Sequence, residues 1–274
     1  MESEAGMILW FENWEQLLWD DGRATAFALI GLAALTALEL WIPAEPGQGW
    51  RGRGRNLVYL ALFKVLGLGG IAFWFTFGPI LGVARPEPSG FERVAFVFLN
   101  LLTIDFFFYW YHRAQHRFSF LWAIHELHHA DAELNATTGY RTYWLEAPVQ
   151  TILVMTPTLL LFGWRGSTHG LIVLTCSLFF LLFAHANLRL SLGPLGSWII
   201  GPQVHRIHHS RRPEEQNRNF AQYFPFLDRL FGSFYAPGRD EYPRTGTEGL
   251  ASDASIGRAM FQPFRIWAAS FRRP

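Results

Sequence analysis

An all-α, multi-pass transmembrane bundle with a histidine-rich helical cap on its cytosolic side is the fold this sequence predicts, and three observations predict it. Half of the 274 residues are hydrophobic, with 26 Phe and 12 Trp, which is too apolar and too aromatic for an ordinary soluble domain. Several apolar runs reach the roughly 18 residues that a bilayer core of about 30 Å demands of a helix. Nine of the ten histidines fall in four short segments, two of which repeat one pattern: His125-Glu-Leu-His-His129 and His205-Arg-Ile-His-His209.

Taken in order, residues 1–23 space Trp10, Trp14, Leu17 and Leu18 at helical intervals among acidic residues, which suits a short interfacial helix with Trp at headgroup level. The apolar runs, and so the candidate crossings, are Ala24–Ile42, Leu57–Leu81, Val94–Tyr111, Leu145–Phe162 and Gly170–Ala184, giving four or five spans. Pro148 and Pro157 make the fourth of these a candidate re-entrant segment. Pro43–Arg55 is too polar and broken for a helix and reads as a turn, as do Pro79–Gly90 and Gly163–Gly166 on the other side. Gly67, Gly69 and Gly70 suit close helix packing, and Lys64 sits near enough a span end to snorkel.

Asp105 is the exception within the third span. A carboxylate in lipid needs a partner, and its place two helical turns before His112 points to a ligand histidine or the polar head of the site. Cys176 reads as a small buried hydrophobe and His169 as a solvated loop residue. Arg239–Ser255 is polar and reads as extended or mobile. Arg258–Arg273 mixes arginines with Phe and Trp as a basic amphipathic helix on the membrane surface does. Three regions result: residues 1–93 with the interfacial helix and first two spans, 94–235 with the histidines and remaining spans, and 236–274 as tail and amphipathic helix.

The net charge of +1 is uninformative, and no nucleic-acid partner is expected, but the charge distribution orients the chain. With the N-terminus outside, that side keeps only Arg23, Arg85, Arg93 and Arg165, and every other arginine falls inside. This is the positive-inside pattern, and it puts all the histidine segments and the C-terminus in the cytosol.

The histidines carry the chemistry. His112 and His116 lie on one helix face, and the last two members of each His-x-x-His-His diverge by about 100° around the axis, so that one box can reach two metals. With His185 the set is nine imidazoles: His112, His116, His125, His128, His129, His185, His205, His208 and His209. Nine is too many for one ion and fits two ions with four or five nitrogens each. Imidazole alone does not choose between zinc, copper, iron and nickel.

The ordered boxes resemble those of the fatty acid hydroxylase/sterol desaturase superfamily of membrane di-iron enzymes. The likeness includes the residues from Asp105 to Tyr111 ahead of the first box, and Asn219-Phe-Ala and Asp228-Arg-Leu-Phe-Gly232 after the last. It covers roughly Val94–Phe234. One departure is Ala221, where the family tail often has Gly.

The resemblance implies two iron ions held by the nine histidines, with zinc as a substitute in purified protein. It also implies O2 as co-substrate and hydroxylation or desaturation of an unactivated C–H of a lipid such as a fatty acyl chain, sterol, aminolipid, alkylglycerol ether or carotenoid. Asp105, Asn187, Asn217 and Asn219 are candidates to hold the ligand rings through their other nitrogens. No flavin, haem or iron–sulfur motif is present, so the electrons require an external ferredoxin- or cytochrome-type donor with its reductase, for which Arg211 and Arg212 offer a docking face. A preference for Arg over Lys suggests a bacterial inner membrane. Two other readings stand beside this one. His125-Glu126-x-x-His129 matches an intramembrane zinc metalloprotease with Glu126 as general base, and histidine-lined paths occur in metal transporters.

Overall fold

The computed structural model describes the backbone of residues 2–81, 88–163 and 167–270, and the side chains of residues 19, 22–65, 88–163 and 168–270. Expectations for the apolar face of residues 1–18, for Gly67, Gly69 and Gly70, for most of the turn at 79–90 and for that at 164–166 lie outside these residues. Among them the protein is helical with no strand, only the isolated bridges Pro43–Leu188 and Ser210–Thr245.

Helix α1 (Glu2–Trp41) is continuous, so the expected interfacial helix and first crossing are one rod. Its apolar residues are not equivalent. Ala28, Leu32 and Leu35 recur at helical spacing and bury against Leu182 and Ala186. Ile30 and Leu40 on other faces are 67% and 65% exposed, an arrangement that suits lipid rather than water. Helix α2 begins at Trp50 and runs to Leu81, so Arg51, Arg53 and Arg55 lie in its first turns and not in the expected connecting turn. The break before it is confined to Ile42–Gly49. Lys64 is half-buried.

Helix α3 (Gly90–Arg117) stops where Phe118 turns extended at φ −109°, and α4 (Ser119–His129) starts one residue later. This corner folds the second histidine box back over the first. The fourth apolar run is not one α-helix. It comprises α5 (Glu146–Gln150), a π turn (Thr151–Met155) and α6 (Thr156–Phe162), because Pro157 removes an N–H from the ladder. Helix α7 (Ser167–His185) packs between α1 and α3 and ends on His185. Among the described residues, three helical segments are long and apolar enough to cross a membrane: Gly22–Trp41, Gly90–Arg117 and Thr168–His185.

Their C-termini lead directly into the cap, which holds α8 (Pro202–His208), α9 (Phe226–Leu230) and α10 (Ile256–Ser270). The stretch from 239 to 255 is extended but well packed. Leu250 is buried, Thr245 Oγ1 donates to Asp131 O, and Ser252 O accepts from Arg141 and Arg55. Helix α10 lays one face on α4, with the Trp267 ring stacked on Phe120 and its Nε1–H donating to Phe120 O. Phe261 and Phe264 stay exposed on the other face.

One expectation is corrected here. His169 lies inside α7, buried, with Nε2 3.4 Å from Asn100 Nδ2, so it is not a solvated loop residue. The reason is that α7 starts at Ser167, one turn earlier than its apolar run. Arg141 and Arg206 are buried structural cations. Arg141 donates to Leu127 O, and Arg206 pairs with Glu45 at 2.7 Å. Cys176 is half-buried in the apolar cluster between α3 and α7.

Candidate metal centre

All nine expected histidines converge, and the tertiary structure divides them. His112, His116, His125, His129 and His208 form one cluster, here called A, and His128, His185, His205 and His209 form a second, B. Within each, one nitrogen per ring lies within 4.8 Å of all the others. Helix α4 gives His125 and His129 to A and His128 to B, and α8 does the reverse, with His208 in A and His205 in B, joined there by His209 just past its end. The two boxes therefore interlock, and the His129 and His209 rings stack across the boundary at 4.4 Å.

The hydrogen bonds fix what these nitrogens can do. His112 Nδ1 is 2.8 Å from Phe220 O, His185 Nδ1 2.7 Å from Leu181 O, and His208 Nδ1 2.8 Å from Arg218 O. A carbonyl only accepts, so each Nδ1 carries the proton and each Nε2 is a bare lone pair. His125 donates likewise from Nδ1 to Glu146 Oε1 at 2.9 Å. Yet the Nε2 atoms face one another: His112 to His125 at 3.0 Å, His208 to His129 at 3.1 Å, and His185 to His128 and to His205 at 3.0 Å.

Two bare lone pairs at such distances repel, and a cation between them reverses the sign. Burial also holds His125, His128, His129, His205, His208 and His209 well below the ordinary histidine value, keeping them in the neutral form that binds metal. The donor sets thus fit one borderline transition metal each, and two in all.

The residues around the rings differ from expectation. Asp105 reaches no imidazole; its carboxylate accepts the backbone N–H groups of Gln222, Tyr223 and Phe224 at 2.6, 3.1 and 2.7 Å. Asp228 accepts from Phe220 N and Ala221 N at 2.7 and 3.0 Å. Together they clamp the strap whose Phe220 carbonyl holds His112, so Asp105 acts on the ring through the backbone.

Asn219, left-handed at φ 54°, donates to Val204 O and Tyr235 O, and Asn187 binds Glu45 and Arg206. Neither meets a ring. Asn217, also left-handed at φ 60°, lies beside His116.

Glu146 was not foreseen. Fully buried, it holds His125 and accepts from Gln115 Nε2 at 3.3 Å. The signal available in the sequence was a carboxylate at the mouth of an apolar run, the same reasoning that singled out Asp105. Glu126, which the zinc-protease pattern makes a general base, accepts from Gln262 Nε2 of α10 at 3.1 Å.

Interlocked imidazole clusters at the cap-side ends of apolar helices define a class: membrane proteins with a paired, all-nitrogen metal-binding cage. Within that class the chain belongs to the fatty acid hydroxylase family, whose pattern matches residues 97–233 and so spans both clusters. Among characterised relatives it is 31% identical to alkylglycerol monooxygenase of Xenopus tropicalis over 137 residues, covering 50% of this chain and 30% of that protein. It is 31% identical to the Danio rerio enzyme of the same name over 63% of this chain and 35% of that protein. To the ornithine lipid hydroxylase OlsE of Rhizobium tropici it is 29% identical over 65% of this chain and 51% of that protein. The matches thus span about a third of the first two relatives and half of the third. No solved structure matches.

Proposed function

We propose that the chain is a membrane-bound lipid hydroxylase in which clusters A and B each hold one iron and O2 is the co-substrate. The observation that supports this most directly is the convergence of nine imidazoles in two groups of five and four, with Nε2 left bare on His112, His125, His185 and His208. When bound, a reduced metal pair would supply the electrons that activate O2 towards an unactivated C–H. The protein's part is to fix His112, His125, His185 and His208 by their Nδ1 contacts, to keep the rings neutral, and to shield the centre under the strap from 217 to 235.

The substrate is a lipid with a saturated chain or ether-linked chain presented at the cytosolic membrane face, in keeping with the names of the relatives. Hydroxylation is favoured over desaturation on the same ground. The orientation is N-outside with the clusters and C-terminus in the cytosol of a bacterial inner membrane, as the arginine distribution supports. An external ferredoxin- or cytochrome-type protein supplies electrons, and exposed Arg211 offers it a docking charge. Arg212 is already engaged with Glu215 at 2.8 Å.

The zinc-protease reading uses three ligands and leaves cluster B without a purpose, and a transporter would carry its ligands along a span instead of at the span ends. Metal analysis of protein purified from iron-replete cells tests the proposal together with lipid profiling of a deletion strain. Two irons per chain and a lipid lighter by one oxygen in the deletion strain are expected; a single zinc would overturn it.

A further inference from the structure

Beside the clusters lies an open cleft of about 590 Å³ on the cap side. Its walls include His116, His129 and His208, together with polar Ser119, Glu126 and Asn217. All three of those rings belong to cluster A, and none of the four rings of cluster B lines the cleft. His116 is also the one ring of the nine that is not fully buried. Cluster B is enclosed by other means: His185 sits at the end of α7, Nδ1 to Leu181 O, and Gly139 presses on that same residue, where a Cβ would lie 2.8 Å from Leu181 Cγ.

The two metal positions of the proposed function are therefore unequal in their access to water. The geometry points to this cleft as a binding site for small hydrophilic ligands and as the port through which metal enters and leaves cluster A, while cluster B is sealed from the aqueous side. This inference rests on the two-metal reading, and the physical ground is simple. A multidentate chelator must reach an ion before it can strip it, and among the described residues this cleft opens onto rings of cluster A and onto none of cluster B.

The test is release of metal from the intact, detergent-solubilised protein into excess EDTA, followed by mass spectrometry of diethylpyrocarbonate-labelled histidines. One equivalent is expected to leave at least roughly tenfold faster than the second, equivalent to about 1.4 kcal/mol in barrier. At the end of the fast phase His116, His129 and His208 become labelled while His185, His205 and His209 stay protected. Ser119→Trp, which narrows the mouth, is expected to slow the fast phase and leave the slow one unchanged. Simultaneous loss of both equivalents, or labelling of the cluster B rings first, would overturn the port. Stoichiometry measured beforehand judges the two-metal reading separately, and metal-free protein still reports the port by the order in which the same six rings label.

Discussion

The Glu39 carboxylate, on the first crossing helix, accepts the backbone N–H of Asn187 at 2.7 Å, two residues beyond His185. The same carboxylate accepts Ala136 N at 2.7 Å and pairs with Arg53 of α2 at 2.6 Å, all of it buried. Residues outside the family-matched segment thus hold the end of the helix that supplies a cluster B ring. Glu39→Ala strands two buried N–H donors at about 1–3 kcal/mol each and leaves the Arg53 charge unpaired. We expect a lowered unfolding temperature in detergent and a lower metal content, with Glu39→Gln milder than Ala. An unchanged melting profile in the Ala variant would refute the staple.

Glu146 fixes the tautomer of His125, as carboxylates beside metal-bound imidazoles do. Its replacement by Ala is expected to weaken metal affinity roughly 10- to 100-fold, and Glu146→Gln, which keeps an acceptor, considerably less. Competition with a chelator of known affinity measures both, and equal affinity in Ala and wild type would remove Glu146 from the site.

Asp105 offers a different outcome because it acts on backbone. Asp105→Ala leaves three N–H groups of the strap without their acceptor, a cost of at least about 3 kcal/mol. Proteolytic nicking between 217 and 235 is expected to accelerate while the helices stay intact, as limited proteolysis with mass mapping will show.

Glu126→Gln separates the competing chemistries. Glu126 contacts α10 through Gln262, so lipid hydroxylation is expected to persist within a few-fold in the variant. Complete loss of a peptidase activity in the same variant would instead favour the zinc-protease reading.

Metal-free protein is expected to lose stability as the pH falls below about 6.5, because the unfolded chain takes up protons on histidines there that the buried rings refuse. The sign follows from folded-state values lying below unfolded ones: the penalty is absent above the unfolded value and grows as the pH drops toward the folded ones. Thermal unfolding of stripped protein across that range checks it, and a flat profile would contradict the burial of neutral rings.

By itself, the sequence determined the helical membrane class, the nine converging imidazoles and the two-ion arithmetic. Each of these follows from local periods: apolar runs of bilayer length, and ring spacings of three and four on a helix. The same periodicity already required that His208 and His209 point apart, and they fall in clusters A and B. Only the tertiary structure decided how the nine divide, since partners such as His112 and His208 meet across helices that no local period relates.

Long-range placement also decided which polar residues serve the rings. Asp105 and Glu146 looked alike as carboxylates in apolar runs, yet one clamps backbone and the other holds an imidazole, because the strap from 217 to 235 lies over α3 while α5 abuts the α3–α4 corner. His169 departs from its sequence expectation for the same reason: its burial depends on where α7 begins and on α3 beside it, and not on the residues that precede it in the chain.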